Sequence, residues 1–185
     1  LGGMDKVDVR KIAEDAGLIN ARKPDSQDIC FVPGGDYPAF INKMAPGAVV
    51  PGNFLDIAGN VIGKHRGVAH YTIGQRRGIA AAFGKPMYVV AKNARDNTVT
   101  LGESKDLLSS SLVASDVNLI AFERLEAPMR VTAKIRYNQS EQDATIRAET
   151  EGRIRIDFDE PQRAVAEGQA VVFYSGETVV GGGTI

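Results

Sequence analysis

Apolar positions along this chain change period as it proceeds. From Asp5 to Gly17, "DKVDVRKIAEDAG" places Val9, Ile12, Ala13 and Ala16 on one helical face, with Asp5 as N-cap and Gly17 as stop. The following "LINARKPDSQDIC" keeps no period, and Pro24 pushes Lys23 towards an extended conformation, so a loop is predicted. "DYPAFINKM" predicts one more short helix, ended by Pro46 and Gly47. Strand signals then take over. "AVVPGNFLDIAGNVIGKHRG" predicts strands about a turn near Gly59 and Asn60, and "PMYVVAKNARDNTVTLGE" a hairpin bending at "ARDN".

Beyond about Leu107 the alternation becomes regular. In "MRVTAKIRYN", Val131, Ala133, Ile135 and Tyr137 share one predicted face, while Arg130, Thr132, Lys134 and Arg136 share the other. "DATIRAETEGRIRIDFD" predicts a hairpin turning near Glu151 and Gly152, and "QAVVFYSGETVVGGGTI" another around Ser175 and Gly176. Short strands at this spacing predict a small antiparallel barrel or sandwich. The fold class is thus mainly β, with a short α/loop amino-terminal piece (residues 1–45), a small β-rich central domain (46–107) and a second β-rich domain (108–185).

Composition narrows the picture without redirecting it. The 185 residues are 43% hydrophobic, enough for packed cores, and the formal charge of −1 gives no whole-molecule field. Any nucleic-acid contact must therefore come from local patches. No apolar run reaches the length of a membrane span, and "LGGMDKVDVR" has no signal-peptide pattern. Met4 after "LGG" fits either a tag scar or the interior of a longer chain. One cysteine excludes an internal disulfide framework and any Cys-x-x-Cys site, so a reducing cytoplasm is the expected compartment.

That cysteine, Cys30, lies in "KPDSQDICFVPGG". Ile29 and Phe31 beside it favour a buried thiol, while Pro24, Asp25, Ser26, Gln27 and Asp28 favour a loop. Only Lys23 is near in sequence to lower a thiol pKa, and the two aspartates oppose that. "GKHRGVAHYTIGQRRG" is the densest basic stretch: Lys64, Arg66, Arg76 and Arg77 occur among glycines and a tyrosine with no acid. This mixture suits phosphate contact with base packing, or equally a solvated hairpin. His65 and His70, five apart and without a third ligand, do not make a metal site. Arg130, Lys134 and Arg136 are read first as the polar outside of a strand. Gly181 to Gly183 precede no helix, so close backbone approach or a bulge is predicted there, and no phosphate cradle. The sequence carries no Walker loop, dinucleotide fingerprint or Ser-His-Asp spacing.

Together these segments resemble the tRNA-specific 2-thiouridylases of the bacterial MnmA (TrmU) type. "KPDSQDICFV" resembles the segment holding that family's second catalytic cysteine, "GKHRGVAHYTIGQRRG" its central-domain signature, and "KIRYNQ" with "EGQAVVFYSGETVVGGG" its carboxy-terminal barrel. The resemblance implies that residues 1–45 are the end of an ATP-pyrophosphatase domain whose Gly-rich loop and first cysteine lie outside this chain. ATP with Mg would be a co-substrate of the full-length enzyme, bound elsewhere, and this part alone would bind no cofactor and be inactive. The implied reaction adenylates C2–O of the wobble uridine in tRNAs for Glu, Gln and Lys, then replaces it with sulfur. The sulfur would arrive as a persulfide on Cys30, loaded by a relay protein or a cysteine desulfurase, and the other cysteine would release it. By resemblance, Arg136, Tyr137 and Gln169 match tRNA-contacting positions. Gln75, Arg76 and Arg77 are added from charge and motif.

Two further readings belong to other classes. One is a non-catalytic RNA-binding β-barrel module in which Cys30 is incidental; the other is a thiol-dependent redox enzyme with Cys30 as its sole nucleophile.

Overall fold

The computed structural model describes residues 3–23, 32, 35–79, 84–150 and 152–185. Helix α1 spans Lys6–Asp15 and is followed by Gly17 at φ +69°, the left-handed stop expected of that residue. Asp5 occupies the N-cap position, but its side chain makes no capping hydrogen bond. None of the α1 residues is buried, and Ile12 is 47% exposed, so the predicted apolar face is not covered among the described residues. Helix α2 spans Tyr37–Met44, and here the cap is made: Asp36 Oδ1 accepts from Ala39 N–H at 3.0 Å.

The middle of the chain is a four-stranded sheet in the order β2-β1-β4-β3, from β1 (Gly52–Leu55), β2 (Val61–His65), β3 (Tyr88–Asn93) and β4 (Thr98–Gly102). Both predicted hairpins form, and Gly59 takes φ +87° in the first turn. What local pattern did not show is that the hairpins join by a parallel pairing, with Phe54 opposite Val99. Phe54, Tyr71, Val89, Val99 and Leu101 form the core beneath this sheet. His65 closes it. The ring is 3% exposed and packs edge-on against Phe54 and Tyr71 at centroid distances of 5.4 and 5.6 Å. Its Nδ1 accepts from Gly67 N–H at 3.0 Å, while Nε2 lies 3.1 Å from the carbonyl of Asn97. A carbonyl can only accept, so Nε2 carries the proton and the neutral ring bridges β2 to the β3–β4 turn.

The carboxy-terminal strands close into a six-stranded antiparallel barrel, β10-β5-β8-β7-β6-β9. They are β5 (Leu108–Leu119), β6 (Met129–Lys134), β7 (Gln142–Thr150), β8 (Arg153–Arg163), β9 (Ala170–Ser175) and β10 (Thr178–Thr184). Closure removes the exposed strand edges that an open sandwich keeps. Val131, Ala133 and Ile135 point into the core as their alternation predicts. Tyr137 does not: β6 ends at Lys134, the period-2 pattern ends with it, and Tyr137 is 92% exposed.

Gly181, Gly182 and Gly183 sit where β10 crosses between β5 and β9 with irregular register. A Cβ there would stand 2.5 Å from Asn118 O, 2.6 Å from Val171 O and 2.7 Å from Ser115 O respectively. Close backbone approach thus accounts for all three. A bulge interrupts β8 as well, since Ser109 faces Gln162 but Ser111 faces Asp157. Pro161, which has no N–H to give, falls in the extra segment.

Candidate nucleic-acid interface

Two basic loops far apart in sequence meet where the sheet touches the barrel. The first follows the 3-10 turn Val68–His70 and contains Gly74 to Gly78. Gly74 N–H donates to Val89 O at 2.8 Å and Val89 N–H donates to Gln75 O at 3.0 Å, so the loop is hydrogen-bonded to β3. The side chain of Gln75 spans the bend: Oε1 accepts from Thr72 N–H at 2.9 Å, and Nε2 donates to Arg77 O at 2.8 Å. Arg76 and Arg77 are exposed and have no acidic partner among the described residues.

The second loop runs from the end of β6 to the start of β7. Gln139 Nε2 donates to Gln162 Oε1 at 2.6 Å, and Gln162, 4% exposed, donates in turn to Glu160 O at 2.7 Å. Those bonds satisfy the buried amide and fix the loop against β8. The guanidinium of Arg136 donates to the carbonyl of Ala164. Tyr137 lies in the turn that follows β6. Gln169 is exposed, and its carbonyl accepts from Ile185 N–H at 2.9 Å.

Ala164 is where the loops converge. It is buried, adopts φ +54°, and donates its N–H to Leu107 O at 2.7 Å. A Cβ on Gly74 would lie 3.1 Å from Ala164 Cβ, a close approach that a larger residue would strain. One residue earlier, the Arg163 guanidinium lies 4.9 Å from the Tyr88 ring centroid and donates to Ser104 Oγ at 2.7 Å. Sheet and barrel therefore share a built seam, made by Ala164, Arg163, Tyr88 and Gly74.

The chosen cations thus fall into different environments. Arg130 is bound by Asp159 and Lys134 is half-buried, so the outward row of β6 is not a uniform basic face. Sequence reasoning missed Gln139, Gln162, Arg163 and Ala164. A signal existed for Gln162, a polar residue at the inward parity of Ile154, Ile156 and Phe158. None existed for Ala164, whose left-handed backbone is a glycine-type conformation.

Cys30 lies outside the described residues, as do Glu151 and Lys23's neighbours Pro24 to Asp28. His65 and His70 do not share a strand. Burial lowers the pKa of both, with Arg66 lowering His70 further and Asp36 opposing. Among the described residues no three His, Cys, Asp or Glu side chains gather as a metal site, and no helix is long and apolar enough to cross a membrane.

Family profiles cover nearly the whole chain: a tRNA methyl transferase HUP domain over residues 1–34, a tRNA methyl transferase PRC-barrel domain over 38–103, and an aminomethyltransferase beta-barrel domain over 109–185. The chain is 52% identical over 185 residues to the tRNA-specific 2-thiouridylase MnmA of Acetivibrio thermocellus, covering all of this chain and 52% of the relative. It is 49% identical over 191 residues to that of Treponema denticola, again with full coverage here and 52% there. Against that of Clostridioides difficile the identity is 48% over 185 residues, covering 51% of the relative. The chain spans about half the length of the curated relatives it matches.

Proposed function

Because this chain belongs to the family of tRNA-specific 2-thiouridylases, we propose that it supplies the sulfur-carrying cysteine and a tRNA-holding surface of such an enzyme. The observation that carries this reading is the convergence at Ala164 of the loop bearing Arg76 and Arg77 with the loop bearing Arg136 and Tyr137. Two cations with no acidic partner among the described residues, an exposed tyrosine and the exposed amide of Gln169 suit a phosphate backbone with unstacked bases. Gln75, Arg76, Arg77, Arg136, Tyr137 and Gln169 are the residues assigned to it. The substrates are the tRNAs for Glu, Gln and Lys, whose wobble uridine is single-stranded and presented at small unstacking cost.

Cys30 takes the sulfur as a persulfide from a relay protein or a cysteine desulfurase. Its outer sulfur attacks C2 of the adenylated uridine, a C2–S bond forms, the C2–O bond breaks and AMP leaves. A thiolate from a second cysteine, which this chain does not contain, then attacks Cys30 Sγ. The S–S bond breaks, the electron pair stays on the sulfur bonded to C2, and the two cysteines are left as a disulfide. ATP with Mg is the activating co-substrate. The sequence here offers no phosphate-binding loop for it, so no step is assigned to these residues on its behalf. The compartment is the cytoplasm, where tRNA and reduced thiols coexist.

The test is thiolation of unmodified tRNA by the intact enzyme with Cys30→Ser. Loss of 2-thiouridine with retained tRNA binding is expected. Normal product would remove Cys30 from the mechanism and leave a non-catalytic RNA-binding barrel as the better reading.

A further inference from the structure

We propose that Asp36 and His70 are positioning residues for the sulfur-carrying cysteine: they seat helix α2 on the 3-10 turn Val68–His70 and so fix the root of the segment from which Cys30 is presented. The proposal rests on the reading of Cys30 as the persulfide carrier and adds what registers it against the central sheet. Neither residue is assigned a contact with substrate. Both act through the chain that leads to Cys30.

Sequence spacing makes that tether short. Cys30 precedes Val32 by two residues and Asp36 by six. Whatever path the intervening residues take, two steps span at most about 7 Å and six about 22 Å. Val32 is buried, and its carbonyl accepts from Gly35 N–H at 3.1 Å, closing a turn beside the helix cap. Asp36 then takes over: Oδ1 accepts from Ala39 N–H and the main-chain carbonyl from Phe40 N–H, each at 3.0 Å. From Val32 into the first turn of α2 the chain is held by consecutive hydrogen bonds, so the seat of α2 decides where the cysteine segment is rooted.

That seat is built from both sides. Asp36, Ala39 and Asn42 line one wall of a shallow cleft whose other wall is Val49, Arg66 and His70. His70 is half-buried there; burial and Arg66 lower its pKa while the Asp36 carboxylate acts the other way, which places the two residues across the cleft from each other. At the far end of the helix, Asn42 Oδ1 accepts from Gly47 N–H at 3.1 Å. Val49 then lies against Gly67, where a Cβ would stand 2.7 Å from Val49 Cγ1 and 3.6 Å from His70 Cδ2. Gly67 is itself held, its N–H donating to His65 Nδ1 at 3.0 Å. The helix is thus fixed at its cap, along the cleft and at its exit. The turn beneath it continues into Tyr71, buried in the sheet core, and on to the loop of Arg76 and Arg77. One sheet therefore registers the root of the Cys30 segment and the loop assigned to RNA, and groups held in register react faster without binding more tightly.

The experiment uses the intact enzyme with ATP, Mg, a cysteine desulfurase as sulfur source and an unmodified tRNA transcript. It reads the single-turnover rate of 2-thiouridine formation, the half-saturating tRNA concentration, and the carbamidomethylation rate of Cys30 by peptide mass spectrometry. Asp36→Ala and His70→Ala are each expected to slow product formation about tenfold, with the other two quantities within about twofold of the parent. Asp36→Asn keeps the cap acceptor and His70→Phe keeps a packed ring, so each should recover most of the rate. Parent rates in both alanine variants, no recovery in both conservative variants, or alkylation slowed in step with product formation overturn the positioning roles. Insertion of two glycines between Gly35 and Asp36 leaves the cleft residues unchanged and lengthens only the tether. It should also slow the reaction about tenfold, and it decides alone if the alanine variants melt below the assay temperature, a parent rate then overturning the proposal. Cys30→Ser separates the two levels: normal product from it removes the persulfide reading and the proposal together. No product from Cys30→Ser beside parent rates in the positioning variants removes the proposal alone.

Discussion

Arg130 and Asp159 face each other across strand β7, with Nη1 and Nη2 each 2.7 Å from a carboxylate oxygen, and Nη1 also donates to Thr145 Oγ1. The pair is bidentate and solvent-exposed, and Arg130 holds the Asp159 carboxyl below its ordinary pKa. Its consequence is local neutrality on a strand whose sequence reads as basic. Arg130→Ala is therefore expected to leave tRNA affinity and its salt slope nearly unchanged, in contrast to loss of Arg76 and Arg77. A salt titration of the variant checks this; a slope lowered by about 0.8 would show that Arg130 meets a phosphate after all.

The central sheet should lose stability in mild acid because of His65. Burial, first among the causes, lowers its pKa, so below about pH 6.5 the unfolded chain binds a proton that the native ring resists. Stability is then full above that pH and falls as pH drops towards the native value. His65→Phe keeps the packing against Phe54 and Tyr71 but leaves Gly67 N–H and Asn97 C=O without the imidazole. It should cost about 2 kcal/mol at pH 7.5 and flatten the dependence between pH 7 and 5. His70, shifted in the same direction, leaves a residual slope. Urea unfolding at several pH values, with the variant as steep as the parent, would contradict the assignment.

Gly182→Ala should destabilise the barrel by about 1–3 kcal/mol, because its Cβ would stand 2.6 Å from the main-chain oxygen of Val171 and rigid backbone has to move. Gly59→Ala meets nothing within 4 Å and should cost only about 1 kcal/mol, for its φ of +87°. Chemical denaturation ranks the two, and the reverse order would mean that β10 can yield.

The Arg163–Tyr88 contact predicts a measurable coupling between sheet and barrel. Arg163→Ala removes a cation–π contact of about 0.5–1 kcal/mol and a hydrogen bond to Ser104. A double-mutant cycle with Tyr88→Ala should show the two losses to be less than additive. Strict additivity would mean that the ring and the guanidinium do not interact in solution.

For Cys30, chemistry and binding should separate. The 185-residue chain with Cys30→Ser is expected to bind tRNA with unchanged affinity, since the proposed contacts lie along the Ala164 seam. A large loss of affinity, measured by fluorescence anisotropy with an unmodified tRNA transcript, would place the cysteine segment in the RNA-holding surface instead.

What the sequence determined by itself was everything written in short-range pattern. The helices, both central hairpins, the inward set Val131, Ala133 and Ile135, and the crowding at Gly181 to Gly183 all follow from period, turn chemistry and side-chain size over a few neighbouring residues. Family membership was legible in the same way, because motifs such as "KPDSQDICFV" and "GKHRGVAHYTIGQRRG" are contiguous. Only the tertiary structure decided the parallel joining of β1 to β4, the closure of the barrel by β9 and β10, and the outward turn of Tyr137 where β6 stops. It also decided which partners the cations meet among the described residues, neutralising Arg130 on Asp159 and bringing Arg136 to the Ala164 carbonyl 28 residues away. The reason is physical: alternation fixes which face a residue takes, but the partner it meets there depends on register and closure between distant strands, and no single segment contains that information.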